Sequence, residues 1–194
     1  VLAVQDPNSS KAWDQIWSRE GSSTWRTYPV MFAAVAALVP EGSRVLDLGC
    51  GAGKLLDLLA RERGCSTQGL DTSPVAIGLA RAGGHAAHAL TLCPQTAAAV
   101  GEFARAADVV TATEVLEHLD DATLDALLAS IRDAERPLIA TVPDDRLPPS
   151  VCSEHRQCWS KATFTTLLGR YFTRVEIARV DDRGPRLVAH AWSG

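Results

Sequence analysis

The chain has 194 residues, 46% hydrophobic and 22% charged, enough for one substantial core and short for two domains. Its net charge of −4 at pH 7 argues against broad attraction to nucleic acid without excluding a local basic patch. Five cysteines (Cys50, Cys65, Cys93, Cys152 and Cys158) at irregular spacing form no C-x-x-C and no repeated pair, which predicts the free thiols of a cytosolic protein.

No apolar run approaches membrane-spanning length, and Val1 to Lys11 lacks the basic-then-apolar pattern of a secretory signal. The expectation is therefore a cytoplasmic protein with no membrane partner. In chain order, Trp13 and Trp17 stand at i and i+4 and predict an amphipathic helix anchored to the domain. After the turn-prone Gly21-Ser22-Ser23 come Trp25 and Tyr28, in a Ser/Thr-rich segment where loop aromatics suit contact with a ligand. Pro29 to Val39 reads as a helix carrying Met31, Phe32, Val35 and Leu38, ended by Pro40-Glu41-Gly42.

Arg44 to Leu48 is a short apolar run broken only by Asp47, and it leads into Gly49-Cys50-Gly51-Ala52-Gly53. The helical pattern Leu55, Leu56, Leu59 begins just after it. A buried strand that enters a helix through glycines is a cofactor-binding junction. Glycine permits positive φ and close approach of backbone N–H groups, while the helix N-terminus adds its positive end. One βα unit later, Thr67-Gln68-Gly69-Leu70 ends in Asp71, where a carboxylate can accept hydrogen bonds from ribose hydroxyls. A dinucleotide fingerprint wants G-x-G-x-x-G, and here the third glycine comes one position early.

Pro74 to Ala82 reads as a helix, with Thr72 or Ser73 as N-cap and Pro74 at its first position. Leu124, Leu127, Leu128 and Ile131 form one apolar helical face, and Phe164, Leu167, Leu168 and Tyr171 repeat the spacing. Pro143 to Ser150, with Asp144, Asp145 and Arg146, is too proline-rich and charged to extend a strand and should border a substrate cavity or run through solvent. Val175 and Ile177 alternate with charged neighbours, and Leu187 to Ala191 is a second β-like run, predicting a closing antiparallel pair.

The D-x-G-x-G-x-G pattern from Asp47 to Gly53 resembles motif I of the class I S-adenosylmethionine-dependent methyltransferases, and Asp71 resembles their ribose-binding acid. Asp108-Val109-Val110 through Glu114-Val115-Leu116-Glu117-His118-Leu119 resembles the fourth-strand motif of the ubiquinone-biosynthesis-like, methyltransferase type 11 branch. Ile139 to Pro143 resembles the fifth strand, and Glu154-His155 through Phe164 a late segment common in that branch. The resemblance implies an α/β fold: a Rossmann-like, seven-stranded mixed sheet with helices on both faces, a three-layer αβα sandwich. It also implies one methyltransferase domain over 1–194, with 1–41 as an N-terminal helical lid and 42–194 as the core.

The same resemblance implies an enzyme that binds S-adenosyl-L-methionine through Arg26, Asp47, Gly49, Cys50, Gly51, Asp71, Thr72 and Glu114, with Arg26 reaching the methionine carboxylate. Cys50 is expected to offer its backbone and not a reactive thiol. Relatives often carry an adenine-binding acid after strand three, whereas Ala89 to Gln95 holds none, which leaves backbone groups, Thr91 or an apolar slot at Leu92 as the alternatives. His118 and His155 are the candidate general bases, each with a purely structural hydrogen bond as the competing role. Trp25 and Tyr28 are the candidate substrate contacts. His85, His88 and His190 are expected in solvent or core.

With no large insertion after strand five, the expected acceptor is a small molecule of the specialised-metabolite kind. Two other readings use the same residues. Glu114, Glu117, His118 and His155 resemble the metal-binding set of the Hen1 family of 3′-terminal RNA 2′-O-methyltransferases, although E-x-x-E-H also occurs in relatives that use no metal. The fold can also bind S-adenosylmethionine as a sensor, without turnover.

Overall fold

The computed structural model describes residues 6–21, 28–145 and 154–194. Among them, α1 (Ser10–Glu20) and α2 (Pro29–Leu38) precede an alternation of β1 (Arg44–Leu48), α3 (Lys54–Arg63), β2 (Ser66–Asp71), α4 (Pro74–Ala82) and β3 (Ala86–Ala89). The series continues through α5 (Ala97–Ala106), β4 (Val109–Thr113), α6 (Asp121–Asp133) and β5 (Leu138–Pro143), and closes with α7 (Lys161–Leu168), β6 (Arg174–Asp181) and β7 (Pro185–Trp192). The strands form the expected seven-stranded mixed sheet in the order β3-β2-β1-β4-β5-β7-β6, with β7 antiparallel to both neighbours.

β1, β4 and β5 are buried almost throughout, as parallel strands covered on both faces must be. One core layer packs Leu127, Leu128 and Ile131 of α6 and Phe164 of α7 against the sheet. The opposite layer uses Met31 and Val35 of α2 with Leu55 and Leu59 of α3. Strand order reverses direction between β1 and β4, whose register aligns Leu48 with Ala112. At such a switch point the connections diverge to opposite faces and leave a crevice at the carboxyl ends of the strands.

Local signals set most boundaries. Ser73 Oγ accepts from the Ala76 amide at the start of α4, with Pro74 behind it. α2 ends one residue before the expected Val39, which is extended (φ −79°, ψ 123°) because Pro40 disfavours helical backbone in the residue before it. α7 ends at Leu168 with Gly169 as its cap, so Tyr171 lies beyond the helix and Phe172 takes the buried position.

Candidate active site

The β1 exit is shaped by contacts that exclude side chains. Gly49 has φ +70°, and a Cβ there would lie 2.2 Å from Val115 Cγ2. Gly51 has φ +53°, and its Cβ would lie 2.7 Å from the Trp17 ring. The turn is tied to β2 because the Gly49 and Cys50 amides both donate to the Leu70 carbonyl, at 2.7 and 3.0 Å. Asp71 is buried; its Oδ2 accepts from the Gly51 amide at 2.9 Å and its Oδ1 from the Ser73 amide at 2.8 Å.

Asp47 lies beneath the turn, 1% exposed, with Oδ1 accepting from Thr111 Oγ1 at 2.7 Å. Burial pushes its carboxyl up to about 7, with the Thr111 bond opposing and the Asp71 charge reinforcing the rise. Burial also pushes the Cys50 thiol far up, helped by Asp47 and Asp71, so it is a wall and not a nucleophile. Thr72 Oγ1 and Thr91 Oγ1 are 3.0 Å apart farther along the rim, beside Leu92.

The other end is built from the β4 exit. Glu114 has φ +55°, and its amide donates to Thr141 of β5. Its Oε1 accepts from Thr141 Oγ1 and its Oε2 from Arg186 Nε, both at 3.2 Å. A 3-10 turn over Leu116–His118 then presents Glu117 and His118. Glu117 is 1% exposed, and among the described residues neither carboxylate oxygen has a hydrogen-bond partner. Burial, and then the Glu114 charge, hold its carboxyl well above the usual range.

His118 Nδ1 donates to the Glu154 carbonyl at 3.1 Å, which selects the tautomer with Nε2 as acceptor. The His155 ring meets His118 edge-on at 5.1 Å, and Trp13 meets His118 from another side at 5.2 Å. Burial lowers the His155 pKa, Glu154 opposing and Arg186 reinforcing, so its ring is neutral near pH 7. Its segment is pinned where the Arg156 and Gln157 amides donate to the Glu117 carbonyl, at 2.7 and 3.0 Å. The N-terminal segment grips the same place through Asn8 Nδ2, which donates to the Glu154 carbonyl, and through the Asp6–Arg156 ion pair.

Both ends open into one cleft of 480 Å³. It brings together Asp47, Gly49, Cys50, Gly51, Asp71, Thr72, Glu114, His118, His155 and Tyr28 from the sequence reading. Trp25 and Arg26 lie outside the described residues, as does Arg146 of the loop after β5. Asp144, just past β5, is fully buried and bonded to Arg179 Nε of the edge strand β6 at 2.7 Å. Trp13 and Trp17, read from sequence as anchors, also line the cleft, and Arg183 and Arg186 line it without having been anticipated. Arg186 reaches it because β7 pairs antiparallel with β5, opposite Pro143, a register that no local pattern encodes. Of the four residues in the metal reading, Glu117, His118 and His155 offer one ligand atom each within 4.8 Å of one another, while Glu114 is held by Thr141 and Arg186.

A family model described as a methyltransferase domain matches residues 25–177. A ubiquinone biosynthesis O-methyltransferase from Sinorhizobium medicae is 42% identical over 84 residues, 42% of this chain and 33% of its own length. The chain thus spans about a third of that curated relative. Among solved structures, 1,6-didemethyltoxoflavin-N1-methyltransferase of Burkholderia thailandensis, with bound 1,6-didemethyltoxoflavin and S-adenosylhomocysteine, aligns with a TM-score of 0.68. It is 21% identical, over 100% of this chain and 92% of that one. The methyltransferase domain of bacterial CtHen1-CN aligns with a TM-score of 0.63 and 21% identity, over 82% of this chain and 94% of that one. At such identities these two likenesses show the fold.

Proposed function

The chain belongs to the methyltransferase domain family, as a class I S-adenosylmethionine-dependent methyltransferase, and from this premise we propose that it methylates a small-molecule acceptor bound in the cleft between Asp71 and His155. The observation that carries this reading is the continuity of that cleft, which joins a nucleotide cradle to a neutral imidazole with no large domain between them. When bound, the cofactor supplies a sulfonium-linked methyl group for in-line transfer to a nucleophile.

This chain's residues suit that group. In our reading the flush backbone of Gly49, Cys50 and Gly51 lets the ligand approach, Asp71 accepts from the ribose hydroxyls, and Asp47 receives the methionine ammonium. Thr72 and Leu92 border the base, and Glu114 shapes the methionine end through its backbone. Arg26, outside the described residues, is assigned to the methionine carboxylate, and the segment ahead of α2 to a lid in which Trp25 and Tyr28 meet the acceptor, since α2 itself packs in the core. His155 takes the acceptor proton on a ring nitrogen, while His118, its tautomer set by Glu154, orients it. The B. thailandensis enzyme, with bound 1,6-didemethyltoxoflavin, supports a small-molecule acceptor.

Transfer of labelled methyl to a panel of phenols, amines and carbon nucleophiles tests the reading. Tight cofactor binding with no transfer across the panel would instead indicate a sensor. One observation favours a second reading: among the described residues the buried Glu117 carboxylate makes no hydrogen bond, and it lies beside two imidazoles, with His118 Nε2 3.9 Å from its Oε1. Glu117, His118 and His155 would there hold a divalent ion, which lowers the pKa of an oxygen ligand. A terminal RNA ribose is the acceptor that goes with it, so assays with chelator and with a short RNA separate the two.

A further inference from the structure

Arg186 enters the acceptor half of the cleft from β7 with only 9% of its side chain exposed. Two of its nitrogens are engaged: Nε donates to Glu114 Oε2 at 3.2 Å, and Nη1 donates to the Arg183 carbonyl at 3.3 Å. Among the described residues Nη2 has no hydrogen-bond partner, so a buried guanidinium keeps one edge for whatever fills the cleft. Its Cζ lies 5.1 Å from the centre of the Tyr28 ring, and that of Arg183 lies 5.7 Å from the same ring. Arg183 holds its place in the β6–β7 turn at φ +57°, a left-handed conformation uncommon for a non-glycine residue.

The chemistry of this subsite is selective. A guanidinium held in fixed orientation binds anionic oxygen by a charge-assisted hydrogen bond, and it repels a cation. Glu114 already shares the charge of Arg186, so a monoanion fits better than a phosphate dianion, which would face the Glu114 carboxylate. Tyr28, Phe32 and Met31 supply an aromatic and apolar wall beside the two arginines. We propose that the acceptor is a small aromatic carboxylate, its carboxylate on Arg186 Nη2 with Arg183 alongside, and its ring against Tyr28. The proposal rests on the small-molecule reading above and names the class of that molecule.

Binding to protein saturated with S-adenosylhomocysteine tests it, by calorimetry with 3,4-dihydroxybenzoate, 3,4-dihydroxybenzamide and phenyl phosphate. The benzoate should bind about tenfold or more tighter than the amide. Arg186→Gln should erase that preference while leaving S-adenosylhomocysteine affinity unchanged. Arg183→Gln, which leaves the Glu114–Arg186 pair in place, should reduce the preference and guards against misfolding of the first variant. Equal affinity for benzoate and amide, no binding of either, or tighter binding of phenyl phosphate would overturn the proposal. So would an Arg186→Gln variant that loses S-adenosylhomocysteine and keeps the benzoate preference, since Arg186 would then serve the cofactor. A benzoate preference in protein that binds no S-adenosylhomocysteine would uphold the anion subsite and contradict the methyl-transfer reading.

Discussion

His118 is oriented by the residue that precedes the other candidate base: its Nδ1 donates to the Glu154 carbonyl at 3.1 Å, while the His155 ring lies 5.1 Å away. The two imidazoles are therefore one unit with two roles. His155→Ala should lower kcat by about 100-fold or more, the usual scale of a lost general base, with S-adenosylhomocysteine affinity unchanged. His118→Asn, which keeps a donor for the Glu154 carbonyl, should retain most of the activity that His118→Ala loses. Equal losses in the two His118 variants would make His118 the base.

Asp71 joins the first turn to the second strand, accepting from the Gly51 and Ser73 amides. Asp71→Ala should weaken S-adenosylmethionine binding by about 1.5–3 kcal/mol, the cost of a charged hydrogen bond, and lower the melting temperature by leaving two buried amides unpaired. Calorimetric titration and thermal melts read the two effects separately. Unchanged cofactor affinity would remove Asp71 from the ribose site.

The ammonium contact proposed for Asp47 predicts that cofactor binding depends on pH. Its carboxyl is pushed up to about 7 in the folded protein, so it is mostly protonated at pH 6 and mostly ionised at pH 8. A partner ammonium needs the ionised form, so S-adenosylhomocysteine affinity should rise about tenfold from pH 6 to pH 8 and level off above it. The stability of the ligand-free protein should move the other way. The folded pKa lies above the unfolded value, so the carboxyl costs stability increasingly as pH rises from about 4 to 7, and Asp47→Asn should flatten both profiles.

Asp14 docks α1 on the N-terminus of α4, accepting from Ser73 Oγ and, at 3.1 Å, from the Val75 amide. Asp14→Ala should cost about 0.5–2 kcal/mol of stability, as loss of a helix cap does. Because the same helix lays Trp17 on Gly51, the variant should also release S-adenosylhomocysteine faster. Stopped-flow tryptophan fluorescence measures that rate.

The sheet was legible because its signals are local. Apolar runs, the glycines after Leu48 and the cap at Ser73 each act within a few residues, and Asp71 follows from one βα spacing. The acceptor side was legible only in part. Glu117, His118 and His155 stand in recognisable segments, yet their meeting depends on amides of Arg156 and Gln157 bonding to the Glu117 carbonyl. Arg186 arrives through the register of an antiparallel strand, and Trp17 through the steric gap at Gly51; neither leaves a pattern in its own neighbourhood.

The most direct test of methyl transfer in this cleft is mass-spectrometric detection of a labelled methyl group, carried from S-adenosylmethionine to hydroxybenzoates and related phenols, with and without chelator. Labelled small-molecule product, lost in His155→Ala and unaffected by chelator, is the result predicted. Saturating cofactor binding with no label on any acceptor would contradict it.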